Sequence, residues 1–298
     1  MLSIIHHPDY DAASVGDNHR FPMRKYTLLA ERLRAQGLQF ETPSHATQRE
    51  LEITHDADYV WAVLTSNLDK KLARRVGFEM TPAIAARSCA AVGGTVLAAR
   101  RALETGRAVN LAGGSHHADR QGGRGFCVFN DVGVAANVLL NEGLIGSAAI
   151  IDLDVHQGDG TALIFADEPR VFTASLHCED NWPREKPPSD LDIGLPKGTE
   201  DRQYLQQVDA VISGVFDAGK PDIIFYNAGV DPHTDDRLGL LSLTDKGLQN
   251  RDAKIVAACQ SRGVPIVGVL GGGYSKDAAS IARRHGFMVE AFASRTHS

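Results

Sequence analysis

The sequence of 298 residues predicts an α/β fold: a single domain of three layers, α/β/α, with a mostly parallel central sheet. Short runs rich in Val and Ile alternate with longer segments of helical periodicity, which is typical of strand–helix–strand units. Most of these runs are apolar throughout, as expected of strands that are covered on both faces. No repeat or low-complexity linker divides the chain, so we expect one domain over residues 1–298.

Strands and helices are predicted in alternation along the chain. The predicted strands cover residues 2–6, 109–112, 148–154, 171–177, 223–230 and 265–270. The predicted helices cover residues 22–36, 82–105, 130–142, 202–218, 245–262 and 276–284. Gly37 and Gly106 lie just past the first two helices, where helices commonly end. Residues 180–200 carry four prolines and are predicted to form a long loop, which in compact domains is often functional.

Composition and charge exclude several classes of protein. The chain is 43% hydrophobic and 23% charged, which argues against disorder. Its net charge of −6 provides no electrostatic surface for nucleic acid. No apolar run approaches the ~18 residues of a membrane span, and residues 1–8 do not resemble a signal peptide. Four cysteines without C-x-x-C spacing favour a reducing, cytoplasmic setting over disulfides or a zinc finger.

Ionisable residues cluster after the predicted strand at 148–154. Asp152, Asp154 and His156 alternate along the chain, so an extended strand would place them on one face. Three buried ionisable groups need compensation, which a metal ion can provide. Carboxylate and imidazole ligands suit Zn²⁺ and, less specifically, Fe²⁺ or Mn²⁺. A helix cap or a chance pattern is the alternative interpretation.

Three further strand ends carry groups that are useful in catalysis. His116 and His117 could be acid–base groups, metal ligands or structural histidines. Asp231 could be a further metal ligand, or a turn residue before proline. Tyr274 follows a glycine run that lacks the spacing of a phosphate loop, and its hydroxyl could donate to an oxyanion. Together these groups indicate metal-assisted hydrolysis of a carbonyl compound.

Five motifs, in family order along the whole chain, resemble the zinc-dependent histone deacetylase family of the arginase/deacetylase fold. They are Gly114-Ser115-His116-His117, Gly125-Phe126-Cys127-x-x-Asn130-Asp131, Asp152-Leu153-Asp154-x-His156-x-Gly158-Asp159-Gly160, Gly229-Val230-Asp231 with Asp236-Arg237-Leu238-Gly239, and Gly271-Gly272-Gly273-Tyr274. The short chain and the segment from His19 to Tyr26 are most similar to the compact class IV and related bacterial branch.

The resemblance implies two bound cations. The implied zinc ligands are Asp154, His156 and Asp231, with Fe²⁺ as an alternative metal in the cell. A potassium ion nearby would be held, mostly through backbone oxygens, by Asp152, Asp154, His156, Ser175 and Leu176.

The resemblance also implies the catalytic roles. His117 would be the general base with Asp159 as its carboxylate partner, and His116 would pair with Asp152. Tyr274 would polarise the substrate carbonyl opposite the metal.

A narrow channel for the acylated side chain is implied as well. Gly125 and Phe126 would form one wall, and Leu238 lies where polyamine-preferring relatives carry an acidic residue. Arg24 resembles an arginine beside the acetate-exit cavity. Two positions depart from the family: Glu79 replaces the Asp that pins the substrate backbone, and Trp182 matches the second aromatic wall only loosely.

We therefore expect removal of an acetyl or other acyl group from an N-acyl-lysine-like amine. A small amine substrate, such as an acetylpolyamine, is an alternative. A two-manganese ureohydrolase is a further one, although Ser115 replaces a metal-binding Asp of those enzymes. A binding module without catalytic activity is the last. The sequence leaves the oligomeric state open.

Overall fold

The computed structural model describes residues 2–12, 15–16 and 19–294, so both ends of the predicted 1–298 span lie outside it. Its strands are β1 Ser3–Ile5, β2 Arg107–Asn110, β3 Ala148–Asp152, β4 Val171–Cys178, β5 Leu191–Leu195, β6 Ile223–Asn227 and β7 Ile266–Val269. They form one sheet in the order β1-β2-β7-β6-β3-β4-β5, and every pairing between them is parallel. The predicted fold class is confirmed.

Helices cover both faces of this sheet. They are α1 Lys25–Ala35, α2 Gln48–Glu52, α3 Ala57–Leu64, α4 Lys70–Val76, α5 Pro82–Thr105, α6 Asp131–Asn141, α7 Asp159–Phe165, α8 Asp201–Ala218, α9 Asp245–Arg262 and α10 Ala278–Ala293. A 3-10 helix spans Pro8–Tyr10. Helices α1, α10, α9 and α8 pack in series in one layer, and α5 packs with α6 in the other.

The strand order determines where the four polar motifs meet. Strands β2, β7, β6 and β3 are consecutive neighbours, and each is followed by one of the motifs. Because the strands are parallel, their carboxyl ends lie at the same edge of the sheet, where open α/β folds bind ligands.

The strands predicted over residues 148–154 and 223–230 both end earlier than expected. The ladder between β3 and β6 closes at the pair Asp152 and Asn227, instead of reaching residues 154 and 230. The chain turns there because the Asp152 carboxylate accepts a hydrogen bond from the Asp154 amide at 3.1 Å, as in an Asx turn. Asp154 and His156 therefore lie in a turn, and the predicted alternation along a strand is wrong for them.

The predicted loop at 180–200 is also wrong in part. Leu191–Leu195 pairs with β4 as the edge strand β5. Its first four residues alternate between partly buried and exposed side chains. The alternation is short and flanked by prolines, so the sequence pattern resembles a loop. Helices α2, α3, α4 and α7 had not been predicted, and α10 continues past residue 284 to Ala293.

Helix α5 is long and apolar enough to cross a membrane by length and composition alone. However, 78% of its apolar window is buried inside the protein. It packs against α6 and against β1, β2 and β7. This helix is therefore part of the core.

Gly94 and Gly286 test the packing of the two helical layers. A Cβ at Gly94 would collide with the Tyr10 hydroxyl and lie 2.7 Å from Asn110 Oδ1, whereas at Gly286 the nearest atom is 3.8 Å away. We expect Gly94→Ala to lower the free energy of unfolding by about 1–3 kcal/mol through overpacking. Gly286→Ala should raise it by up to about 1 kcal/mol. Urea denaturation checks both, and equal effects would contradict the packing described.

Candidate active site

Two carboxylates and an imidazole converge at the carboxyl edge of the sheet. His156 Nδ1 lies 3.0 Å from Asp154 Oδ1 and 3.2 Å from Asp231 Oδ2. Asp154 and Asp231 are almost completely buried, and His156 is 8% exposed. The loops after β3 and β6 supply these side chains, so neighbouring strands bring together residues that are 77 positions apart in the sequence, as 231 − 154 = 77.

Local hydrogen bonds fix the direction of these side chains. Asp154 Oδ1 accepts from the His156 amide at 3.0 Å, and Asp154 Oδ2 accepts from the Gly272 amide at 2.7 Å. Asp231 Oδ1 accepts from the Val155 amide at 3.0 Å. Each carboxylate is thus oriented by backbone N–H groups before any ligand binds.

The donor set fits a divalent cation. One ligand atom from each of Asp154, His156 and Asp231 lies within 4.8 Å of the others, as coordination of one ion requires. No hydrogen-bond donor from the described residues reaches the buried Asp231 Oδ2, which is unusual for a carboxylate oxygen. A Cβ at Gly272 would meet this oxygen, so only glycine leaves room beside it. Three protein ligands from Asp and His match zinc sites that keep an open position.

Electrostatics within this group also favour a cation. Burial opposes ionisation of His156, but the negative charges of Asp154 and Asp231 beside its Nδ1 outweigh burial and raise its pKa to about 10. Burial and the charge of Asp154 raise the pKa of Asp231. A positive charge is therefore stabilised between the carboxylates.

A second group of possible ligands lies near the surface. His7, Asp9 and His45 also offer atoms within 4.8 Å of each other. However, Asp9 already pairs with His45 Nε2 at 2.8 Å, and His7 Nδ1 accepts from the Asp9 amide at 3.0 Å. Because these lone pairs already have partners and the groups are more exposed, this cluster is the weaker candidate.

Two buried histidine–aspartate pairs lie beside the candidate metal site. His116 Nδ1 lies 2.6 Å from Asp152 Oδ2, and His117 Nδ1 lies 2.6 Å from Asp159 Oδ1. These are the pairings that the resemblance implies. Arg124 Nε lies 3.2 Å from the other oxygen of Asp159.

The two histidines differ in protonation. Burial disfavours the charged form of both, but Asp152 and Asp154 raise the pKa of His116 to about 9. Burial and the neighbouring His116 charge lower the pKa of His117 to about 3, despite its bond to Asp159. His117 is therefore neutral. A proton on Nδ1, donated to Asp159, leaves Nε2 as a free acceptor.

Tyr274 also lies beside the candidate metal site. Its ring centroid lies 6.3 Å from that of His156 and 5.9 Å from that of Phe126. Its amide donates to Asp236 Oδ2 at 2.6 Å, and its carbonyl accepts from Arg237 Nε at 2.6 Å. Burial raises the pKa of the phenol well above its ordinary value, so the hydroxyl stays a donor.

A cavity of about 340 Å³ leads from the surface to these groups. It is lined by His117, Gly125, Phe126, His156, Asp180, Asn181, Trp182, Leu238, Leu240 and Tyr274. Trp182, expected only loosely at the second wall, lies over His117 with ring centroids 4.6 Å apart. The side-chain amide of Asn181 joins the two walls. Its Nδ2 donates to the Leu238 carbonyl at 2.7 Å, and its Oδ1 accepts from the backbone N–H of Leu240 at 3.0 Å.

The structure places Arg24 away from the inner end of the site. Arg24 is exposed and lines a separate cavity of about 310 Å³. Lys25, one residue further on α1, is fully buried and donates to the Gly271 carbonyl at 2.9 Å. A rotation of about 100° per helical residue places the two neighbouring side chains on different faces of the helix. Arg87 lines a third, smaller cavity of about 20 Å³, which Tyr274 also lines.

The structure also locates Glu79, Ser175 and Leu176, without testing the roles predicted for them. Glu79 is exposed beside Phe78, whose ring packs against Phe126 with centroids 5.6 Å apart. Ser175 lies in register with Asp152 across the β3–β4 ladder, and Leu176 follows it; both are buried. The potassium site and the substrate contact of Glu79 stay predictions.

Sequence reasoning missed several groups that support the site. Lys25, Arg87, Asn181 and Arg251 are buried polar residues whose partners are distant in sequence. No spacing pattern indicates such contacts. The Asp236 and Arg237 contacts with Tyr274 could have been sought, since both residues belong to a recognised motif.

Comparisons with known proteins agree with this geometry. A family model described as the histone deacetylase domain matches residues 19–288. An uncharacterised protein of Picosynechococcus sp. is 43% identical over 289 residues, covering 96% of each chain. The acetoin utilization protein AcuC of Bacillus subtilis is 31% identical over 266 residues, covering 80% of this chain and 68% of that protein. The crystal structure of the HDA15 HD domain matches with a TM-score of 0.83, at 22% identity, covering 98% and 91% of the two chains.

Replacing one carboxylate in each candidate cluster tests which of them binds metal. We expect Asp231→Asn to lower the zinc content of the purified protein from one equivalent towards none, because the amide brings no charge to the ion. Asp9→Asn, the matched change in the surface cluster, should leave the zinc content unchanged. Elemental analysis of both variants checks this, and loss of zinc from Asp9→Asn alone would contradict the assignment.

Proposed function

Since the chain belongs to the histone deacetylase family, we propose that it removes the acetyl group from an acetyl-lysine-like side chain through metal-activated water. One observation carries this proposal: a buried Asp154–His156–Asp231 group lies at the end of a largely apolar cavity, between His117 and Tyr274. These are the parts that amide hydrolysis requires, namely a metal site, a base and an oxyanion donor.

Asp154, His156 and Asp231 would hold the metal. When bound, zinc supplies Lewis acidity towards a carbonyl oxygen and makes water more acidic. The two negative charges of the carboxylates balance the ion, and the orphaned Asp231 oxygen gains a partner.

His117 is suited to take the proton of the attacking water. It is neutral, and its bond to Asp159 fixes the ring with Nε2 free to accept. A positioned base of this kind contributes typically about 10²–10⁴-fold to the rate. His116, whose pKa is raised by Asp152 and Asp154, holds positive charge beside the site where negative charge develops.

Tyr274 is suited to stabilise the developing oxyanion. Its phenol stays protonated, and the Asp236 and Arg237 contacts hold its backbone in place before substrate arrives. A donor that needs no reorganisation during the reaction is the most effective kind.

The cavity walls favour a lysine-like stem. Phe126, Trp182, Leu238 and Leu240 present apolar surface that can pack against four methylene groups.

A small acylated amine is the second candidate, favoured by Asp180 at the cavity wall, which could attract a second cationic group. Assaying acetyl-lysine peptides, longer acyl-lysines and acetylpolyamines on zinc-analysed protein decides between them. Absence of hydrolysis of every amide with zinc restored would overturn the proposal.

The Tyr274 hydroxyl is testable by a single change. Tyr274→Phe should retain zinc and the fold but lose about 10²–10³-fold in kcat, because one oxyanion donor is removed. Tyr59→Phe is the control: it deletes a buried hydroxyl that donates to the Val128 carbonyl, away from the cavity. We expect that control to retain wild-type kcat. Equal kcat in wild type and Tyr274→Phe would remove Tyr274 from the mechanism.

The Leu238 side chain tests the substrate class. Leu238→Glu should shift the ratio of kcat/KM towards acetylpolyamines by roughly fivefold, since a partly exposed ion pair contributes up to about 1 kcal/mol. Leu238→Gln, similar in size but uncharged, should not favour the polyamine. The measurement is kcat/KM on both substrates, and an unchanged ratio in Leu238→Glu would place Leu238 outside the substrate path.

A further inference from the structure

A fully buried arginine lies behind the candidate metal site. Arg251, on α9, has no exposed surface, and its guanidinium pairs with Asp252 at 2.9 Å. Tyr226 donates its hydroxyl to the same Asp252 oxygen at 2.5 Å. Neither the general base nor the oxyanion donor contacts this network among the described hydrogen bonds.

Arg251 donates to three backbone carbonyls. Its Nη1 lies 2.6 Å from the Gly229 carbonyl and 3.3 Å from that of Leu153, and its Nη2 lies 3.4 Å from that of Ala228. The Leu153 carbonyl also accepts from the Tyr204 hydroxyl at 3.3 Å. These carbonyls belong to the two segments that lead into the metal ligands.

The Arg251 contacts lie beyond the last pair of the β3–β6 ladder. The β3–β6 ladder ends at Asp152 and Asn227, so beyond that pair the sheet no longer joins the two segments. Asp154 follows Leu153 directly, and Asp231 is two residues after Gly229. Buried carbonyls need donors, and one guanidinium supplies them to both segments at once.

Stability alone does not account for this arrangement. A buried ion pair generally adds little net stability compared with apolar residues of the same volume. Only the planar fork of arginine can reach several carbonyls in fixed directions, since a lysine is a single point charge.

We propose that Arg251 is a positioning residue that fixes the spacing between Asp154 and Asp231 and thereby sets metal affinity. This inference rests on the proposed function, because it concerns the metal site that the proposed function uses. Arg251 acts through the backbone of the ligands and touches neither substrate nor metal.

Zinc release from the holoprotein to a chromophoric chelator tests the inference. Partners behind metal ligands typically contribute about 10–100-fold to affinity, so Arg251→Lys should weaken zinc binding by that factor. Excess zinc should restore most of its kcat, because His117 and Tyr274 are unchanged. Tyr204→Phe removes only the hydrogen bond from the Tyr204 hydroxyl to the Leu153 carbonyl. This change should weaken zinc binding by a few-fold.

Ile255→Val is the matched control, one turn further along α9. Ile255 is fully buried, and the change deletes one methylene without altering any hydrogen bond. It should lower Tm while zinc release stays at the wild-type rate. If Arg251→Lys is less stable than wild type but releases zinc at the wild-type rate, the inference is overturned and the proposed function is unaffected.

Two further outcomes are decisive. If Arg251→Lys does not fold, Tyr204→Phe replaces it, and an unchanged zinc release rate in that variant overturns the inference. If the wild-type protein binds no zinc at all, the proposed function fails, and the inference fails with it.

Discussion

Burial of two carboxylates and one imidazole at a single point is the constraint on which the rest of this structure depends. Asp154, His156 and Asp231 are withdrawn from water, where an isolated charge is costly. Hydrogen bonds satisfy only part of the group, since Asp231 Oδ2 has no donor within residues 2–12, 15–16 and 19–294. A bound cation would resolve this imbalance, and backbone amides already orient the carboxylates that would hold it.

The fold meets this constraint through strand order and not through any single motif. Because β3 and β6 are neighbours, the loops that follow them reach the same point. The loops after β2 and β7 bring the histidine pair and Tyr274 next to this point. Buried groups then fix the backbone between the motifs, among them Lys25 on the Gly271 carbonyl and Arg251 on that of Gly229.

Much of this could be predicted from the sequence. Apolar runs alternating with helical patterns predicted the parallel α/β fold, and the boundaries of α5 and α9 match the predicted 82–105 and 245–262. The short motifs identified the residues that the structure brings together. What could not be predicted depends on tertiary contacts. Strand β5 is defined by its pairing with β4, and the position of Trp182 by the path of its loop. The buried contact of Lys25 with the Gly271 carbonyl joins residues that are distant in the sequence.

The central claim is that separate strand ends meet around one divalent cation. Anomalous diffraction at the zinc edge from crystals of the purified protein tests it most directly. We expect one strong peak within bonding distance of Asp154, His156 and Asp231. A peak elsewhere in the molecule, with none between these three side chains in zinc-saturated crystals, would contradict it.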